Sequence, residues 1–116
     1  MRIDIHSSKF ELTESLRDYI ERRVQFAFNW AYDKLPQVYF RLNDVNGPKG
    51  GVDKVCRIQI PMAGANPVVV EETQSDMYVA IDRAVERASR TMSRRIQRSR
   101  THRREQYQAV AWPEAQ

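Results

Sequence analysis

Arg83, Arg87, Arg90, Arg94 and Arg98 recur at intervals of three and four residues. On an α-helix, at about 100° per residue, that spacing gathers five guanidinium groups on one stripe. The stripe is roughly 22 Å long at 1.5 Å per residue, enough to meet several phosphates along a nucleic-acid groove. Arginine grips phosphate through a planar fork of donors that lysine does not reproduce. The bland alternative is a solvated outer face held by salt bridges. The neighbours weigh against it: Arg83 to Arg104 contains nine arginines and one acid, Glu86, a net +8. Like charges four apart on a helix repel by about 0.2–0.5 kcal/mol per pair. A face that repels itself suits an anionic partner, and nucleic acid is the reading the charge pattern favours.

Other residues able to do chemistry are scattered. Arg22 and Arg23 extend the basic surface, although Asp18 and Glu21 partly cancel them. Lys49 lies within the glycine-rich Asn46-Gly47-Pro48-Lys49-Gly50-Gly51 and Lys54 three residues beyond it, where backbone N–H groups and a lysine can meet phosphate. That stretch lacks the Gly-Lys-Ser/Thr ending of a P-loop and returns into a strand, so a structural turn is the preferred reading. His6 and His102 have no partner at metal-ligand spacing, and no cofactor is expected. Cys56 alternates in register with Ile58 and Ile60 and reads as a buried side chain, not a nucleophile. Asp76 and Asp82 do not share a helix face closely; a cap and a local ion-pair partner account for them. Nothing here assembles an enzyme, and no small-molecule substrate is expected.

These residues need elements to hold them. Arg2 to His6 alternates as a strand. Thr13 caps a helix whose Leu16, Tyr19, Ile20, Val24, Ala27 and Ala31 recur at helical spacing until Pro36. Phe26, Phe28 and Trp30, on the flanks of that stripe, are read as packing residues in preference to a base-stacking platform. Gln37 to Asn43 and Lys54 to Ile60 alternate as two further strands around the glycine-rich tip. Pro61 and Ala63 to Pro67 form a turn, and Val68 to Thr73 a fourth strand, with Val68 and Val70 inward. Ser75 and Asp76 open the long helix, in which Met77, Ile81, Ala84, Val85, Ala88, Met92 and Ile96 line the side away from the arginines. The order is β-α-β-β-β-α. It predicts an α+β two-layer sandwich, a four-stranded sheet with two helices on one face. The other sheet face, with Tyr39, Arg41, Arg57, Gln59, Val69 and Glu71, is expected to be solvated.

Length and composition set the bounds. A chain of 116 residues with 41% hydrophobic content supports one core, and 1–104 is read as a single domain with 105–116 a flexible tail. The net charge of +4 conceals a local excess: residues 1–82 carry −2, 83–104 carry +8 and 105–116 carry −2. No apolar run approaches a membrane span, no hydrophobic signal region opens the chain, and a lone cysteine allows no internal disulfide. A cytoplasmic location without membrane contact is the expectation.

Three segments carry a family resemblance: Glu11-Leu12-Thr13-Glu14-Ser15-Leu16-Arg17, Gln37-Val38-Tyr39 and Asp76-Met77-Tyr78-Val79-Ala80-Ile81-Asp82. Over roughly residues 1 to 100 the chain resembles the ribosome hibernation-promoting factor and ribosome-associated translation inhibitor family, also described as sigma factor modulation proteins. The resemblance implies the same element order, a topology similar to double-stranded RNA-binding domains. It implies binding to the small ribosomal subunit between head and body, where messenger and transfer RNA run, and inhibition by occupancy without catalysis. Family basic positions match Arg87, Arg90, Arg94 and Arg98 on the last helix and Arg23 on the first. The tip at 46–53 is longer and richer in glycine than the family pattern. The chain stops short of the second, dimerising domain of long members, so it resembles the short form; ribosome pairing through such a domain is not expected, and the protein is read as a monomer off the ribosome. Two other readings stay open: a general binder of structured RNA, and a protein-interaction module that modulates a transcription factor.

Overall fold

In the computed structural model, which describes residues 1–9, 11–35, 37–45 and 52–115 and leaves the side chains of 32–34 and 99–115 aside, the first alternating segment forms strand β1, Arg2–Ser8. Helix α1, Glu14–Ala27, follows; Thr13 Oγ1 accepts from Leu16 N at 3.2 Å, satisfying one of the helix's free donors. The sequence pattern runs the helix on to Pro36, but the α-helix ends at Ala27 and a 3₁₀ helix, Asn29–Lys34, replaces it. The change of period has a packing reason. Leu16, Ile20, Val24 and Phe28 keep the four-residue step of an α-helix, and Ala31 continues at the three-residue step of a 3₁₀ turn, so all five stay buried. Of the three aromatics read as packing residues, only Phe28 is in the core. Phe26, inside α1 and about 200° round the helix from Phe28, is 78% exposed, and Trp30, beside the buried Ala31 in the 3₁₀ turn, is 49% exposed.

Strands β2 (Gln37–Asp44), β3 (Lys54–Met62) and β4 (Ala65–Gln74) complete a sheet in the order β1-β2-β3-β4. β1 pairs with β2 in parallel, which needs a crossover connection, and α1 supplies it. The other pairings are antiparallel. The β3–β4 turn is tighter than the sequence predicts. Met62 pairs with Ala65, Gly64 takes φ +70°, and an irregularity between Ile60 and Met62 accommodates Pro61, which has no N–H to give the ladder. Residues 61 to 67, read as a turn, are therefore mostly strand.

The register sorts the side chains. Ile5, Phe40, Ile58 and Val70 form one row across the inner face. The next inner row is Ser7, Leu42, Cys56 and Glu72, ending in an acid at the edge strand. Helix α2, Met77–Ala115, lies over this face against β3 and β4, with Met77, Ala80, Ile81, Ala84, Val85, Ala88 and Met92 buried. Each large apolar side chain buried here contributes about 1.5–3 kcal/mol. Asp76 Oδ1 accepts from Tyr78 N at 2.8 Å and so caps α2. Tyr19 and Arg23 meet Asp82, and Ala27 meets Ser89, so the two helices run in the same direction on one face of the sheet. The fold is the α+β sandwich the sequence predicts. The α2 backbone continues through 105–115, where the sequence reading placed a flexible tail; no glycine follows Gly64 and no proline interrupts 68–112.

Candidate nucleic-acid interface

Because α2 is fixed along its apolar side, its arginines have fixed positions too. Arg83, Arg87, Arg90, Arg94 and Arg98 are all exposed, as the spacing requires. The stripe is not diametrically opposite the core; it leans toward the edge strand β4. Arg87 Nη1 lies 2.7 Å from Glu72 Oε1 and donates to the Glu71 carbonyl at 3.1 Å. Arg95, outside the predicted set, donates to the Asn66 carbonyl at 2.6 Å. Arg90 is 3.7 Å from Glu86, an exposed i,i+4 pair. Arg83, Arg94 and Arg98 have no acidic partner among the described residues. Between the guanidinium groups a shallow groove of about 510 Å³ is lined by Arg87, Arg90, Thr91, Ser93 and Arg94. Thr91 and Ser93 were not singled out in the sequence, yet their hydroxyls add neutral donors beside the charged ones, a lining suited to phosphate oxygens.

The flank of α2 toward α1 is different. Arg23 Nε is 3.0 Å from Asp82 Oδ1, and the Tyr19 hydroxyl donates to the same carboxylate oxygen. Tyr19 also stacks edge-on against Tyr78, ring centres 4.8 Å apart. Burial, and then the hydrogen bond to Asp82, raise the Tyr19 pKa above its ordinary value. Arg23 is thus partly neutralised within the helix seam. Arg22 is exposed and lines a shallow depression with Gln25, Phe26 and Asn29, away from this seam.

The loop candidates separate from the stripe. Lys54 Nζ sits 3.0 Å from both Asp44 Oδ1 and Asp53 Oδ1, and these hydrogen bonds raise its pKa. Two carboxylates already hold this ammonium, so Lys54 is a bracket between the ends of β2 and β3; as a phosphate contact it does not fit the geometry. Lys49 and the tip at 46–51 lie outside the described residues, as do the side chains of His102 and Trp112. Cys56 is buried, and desolvation followed by the charge of Glu72 pushes its pKa up to about 12, which leaves almost no thiolate at neutral pH. Among the described residues no three His, Cys, Asp or Glu side chains are grouped to hold a metal, and no helix is long and apolar enough to cross a membrane.

The family model of the sigma 54 modulation protein / S30EA ribosomal protein matches residues 3–100. The chain belongs to this family. The S30EA match includes both helices' interface residues and all of the sheet but Arg2. The N-terminal domain of Thermus thermophilus Protein Y superposes with a TM-score of 0.65 at 28% identity, covering 81% of this chain and 98% of that one. A ribosomal subunit interface protein from Coxiella burnetii gives a TM-score of 0.70 at 14% identity, covering 81% of this chain and 96% of that one, a likeness of fold. The S30EA assignment agrees with the family resemblance carried by the three sequence segments.

Proposed function

We propose that the protein binds the small ribosomal subunit through the outer stripe of α2, occupies the channel used by messenger and transfer RNA, and so inhibits translation or preserves idle ribosomes without catalysis. The observation that carries this reading is the set of exposed guanidinium groups, Arg83, Arg94 and Arg98 foremost, that lack acidic partners among the described residues. They stand on a helix whose other side is locked into the core, so little ordering remains to be done on binding. Membership of the S30EA family supports the ribosome as the partner, as does the name of the Coxiella neighbour, a ribosomal subunit interface protein. Such a partner lies in the cytoplasm.

The test is co-sedimentation with purified small subunits, large subunits and whole ribosomes at rising salt, for the parent and for Arg90→Glu with Arg94→Glu. The double variant keeps its fold, since both side chains are exposed, and loses affinity on the order of a hundredfold, with a salt slope shallower by about 2. Selective pelleting with the small subunit supports the reading. Equal pelleting with all particles indicates a general structured-RNA binder, and no pelleting at low salt overturns both.

A further inference from the structure

The helices cover one face of the sheet and leave the other in water. On that open face the register sets Asp4, Tyr39, Gln59 and Val69 in one row and His6, Arg41, Arg57 and Glu71 in the next. Arg41 and Arg57 are directly opposed on the two central strands, where like charges destabilise a pair. Their acids do not cancel them. Glu71 lies 3.6 Å from Arg57, a loose contact between exposed groups. Asp4 is engaged with Gln37 Nε2 and with Arg2, leaving Arg41 without an acidic partner among the described residues. Tyr39, two residues before Arg41 on the same face, is 43% exposed. A shallow concavity of about 780 Å³ runs over Asp4, His6, Tyr39, Arg41, Arg57 and Gln59, two guanidinium groups to one carboxylate.

We infer that this concavity is a second nucleic-acid site, one that takes a single-stranded RNA segment across the open face. The Tyr39 ring supplies a stacking surface for a base. Arg41 stands about 6.7 Å along the strand from it, within the reach from a base to a neighbouring phosphate, and Arg57 holds the same phosphate from the adjoining strand. Gln59 offers an amide to base edges, and His6 a further polar group beside Arg41. The opposed arginines then share an anion, and their repulsion becomes attraction to it. A duplex hides its base faces and leaves Tyr39 unused. A peptide finds little apolar surface here beyond Tyr39 and Val69. The site stands on the other layer of the sandwich from the α2 stripe and takes its single strand independently of which RNA that stripe binds.

The test is fluorescence anisotropy of the full chain with a labelled ten-nucleotide adenine RNA, with the same length of RNA duplex, and with adenosine monophosphate as competitor. Tyr39→Ala and Arg41→Glu each lower single-strand affinity about tenfold and leave duplex affinity within about twofold; Tyr39→Phe restores single-strand binding. Thermal melts check folding, and Arg41→Gln replaces Arg41→Glu if reversal disturbs the sheet. Single-strand affinity unchanged in both variants, or lost only on Arg90→Glu with Arg94→Glu, makes the open face a solvated surface and overturns the inference. Competition by the mononucleotide at the same concentration as the oligonucleotide also overturns it, in favour of a small-molecule site.

Discussion

The two flanks of α2 use charge in opposite ways. Toward α1, Asp82 gathers Arg23 and the Tyr19 hydroxyl, and Ser89 donates to the Ala27 carbonyl at 3.0 Å, so polar groups are consumed within the protein. Toward solvent and β4, arginines outnumber acids, and three of them meet no acid among the described residues. The residue type is the same on both sides. What differs is whether the topology brings a carboxylate within reach. A guanidinium with a nearby acid holds two helices together; one without remains available to a phosphate.

The largest effect on this contrast is expected from Asp82→Ala. The change removes the acceptor of Tyr19 and the partner of the two-thirds-buried Arg23, and should destabilise the fold by about 1–3 kcal/mol. For a chain of this size that lowers Tm by several degrees, roughly 4–8 °C per kcal/mol. RNA affinity should hold or rise, because Arg23 is released. The Tyr19 hydroxyl gives the seam a pH signature. Its folded pKa is raised, so its contribution to stability is complete below the ordinary value of 10.0 and is lost as pH rises through the folded value. Alkaline melts of the parent should show that loss more strongly than those of Asp82→Ala. A variant that keeps its Tm yet binds RNA more weakly would erase the distinction between the flanks.

Much of this arrangement is legible in the sequence. The 3.6-residue period of α2, the caps at Thr13 and Asp76 and the alternation of the central strands are local signals, and each appears where it was expected. The missed features depend on pairing. Tyr19 and Asp82 are 63 residues apart, and only the docking of α1 on α2 joins them. Lys54 reads as a candidate phosphate contact beside a glycine-rich tip until the β2–β3 register sets Asp44 opposite it. Arg41 and Arg57 oppose one another only in that register. Phe26 and Phe28 differ in exposure because they stand about 200° apart on the helix, whereas Ala31 joins the core through the 3₁₀ turn that replaces the α-helix the sequence pattern runs on to Pro36.

A smaller effect, and a sharper one, follows from Arg94→Ala. This side chain is exposed and meets no acid among the described residues, so its loss should leave Tm within about 1 °C. Ribosome or RNA affinity should fall about three- to tenfold, with the salt slope shallower by about 1, the mark of one phosphate contact removed. An unchanged salt slope would place Arg94 outside the interface and shift the contact toward Arg83 or Arg98.

Arg87→Ala is the smallest effect and divides the stripe itself. Arg87 is matched to a family basic position, yet its Nη1 is held by Glu72, an acid only 17% exposed at the end of an inner-face row, and by the carbonyl of Glu71. With Arg95 on Asn66, it gives two carbonyls of the edge strand β4 a donor, which blunts that edge against pairing with other chains. Its removal leaves Glu72 half-buried without its cation and should cost about 0.5–1 kcal/mol of stability, a Tm loss that Arg94→Ala does not share. The accompanying loss of RNA affinity should be smaller than for Arg94, because part of the Arg87 charge is already spent on Glu72. Restoring the cation as Arg87→Lys should recover the pairing with Glu72 without the planar guanidinium that Arg87 presents to Glu72 and the Glu71 carbonyl together, giving a Tm between the two. If Arg87→Ala instead matched Arg94→Ala in both Tm and affinity, the contact with β4 would carry no weight, and the five arginines would act as one uniform face.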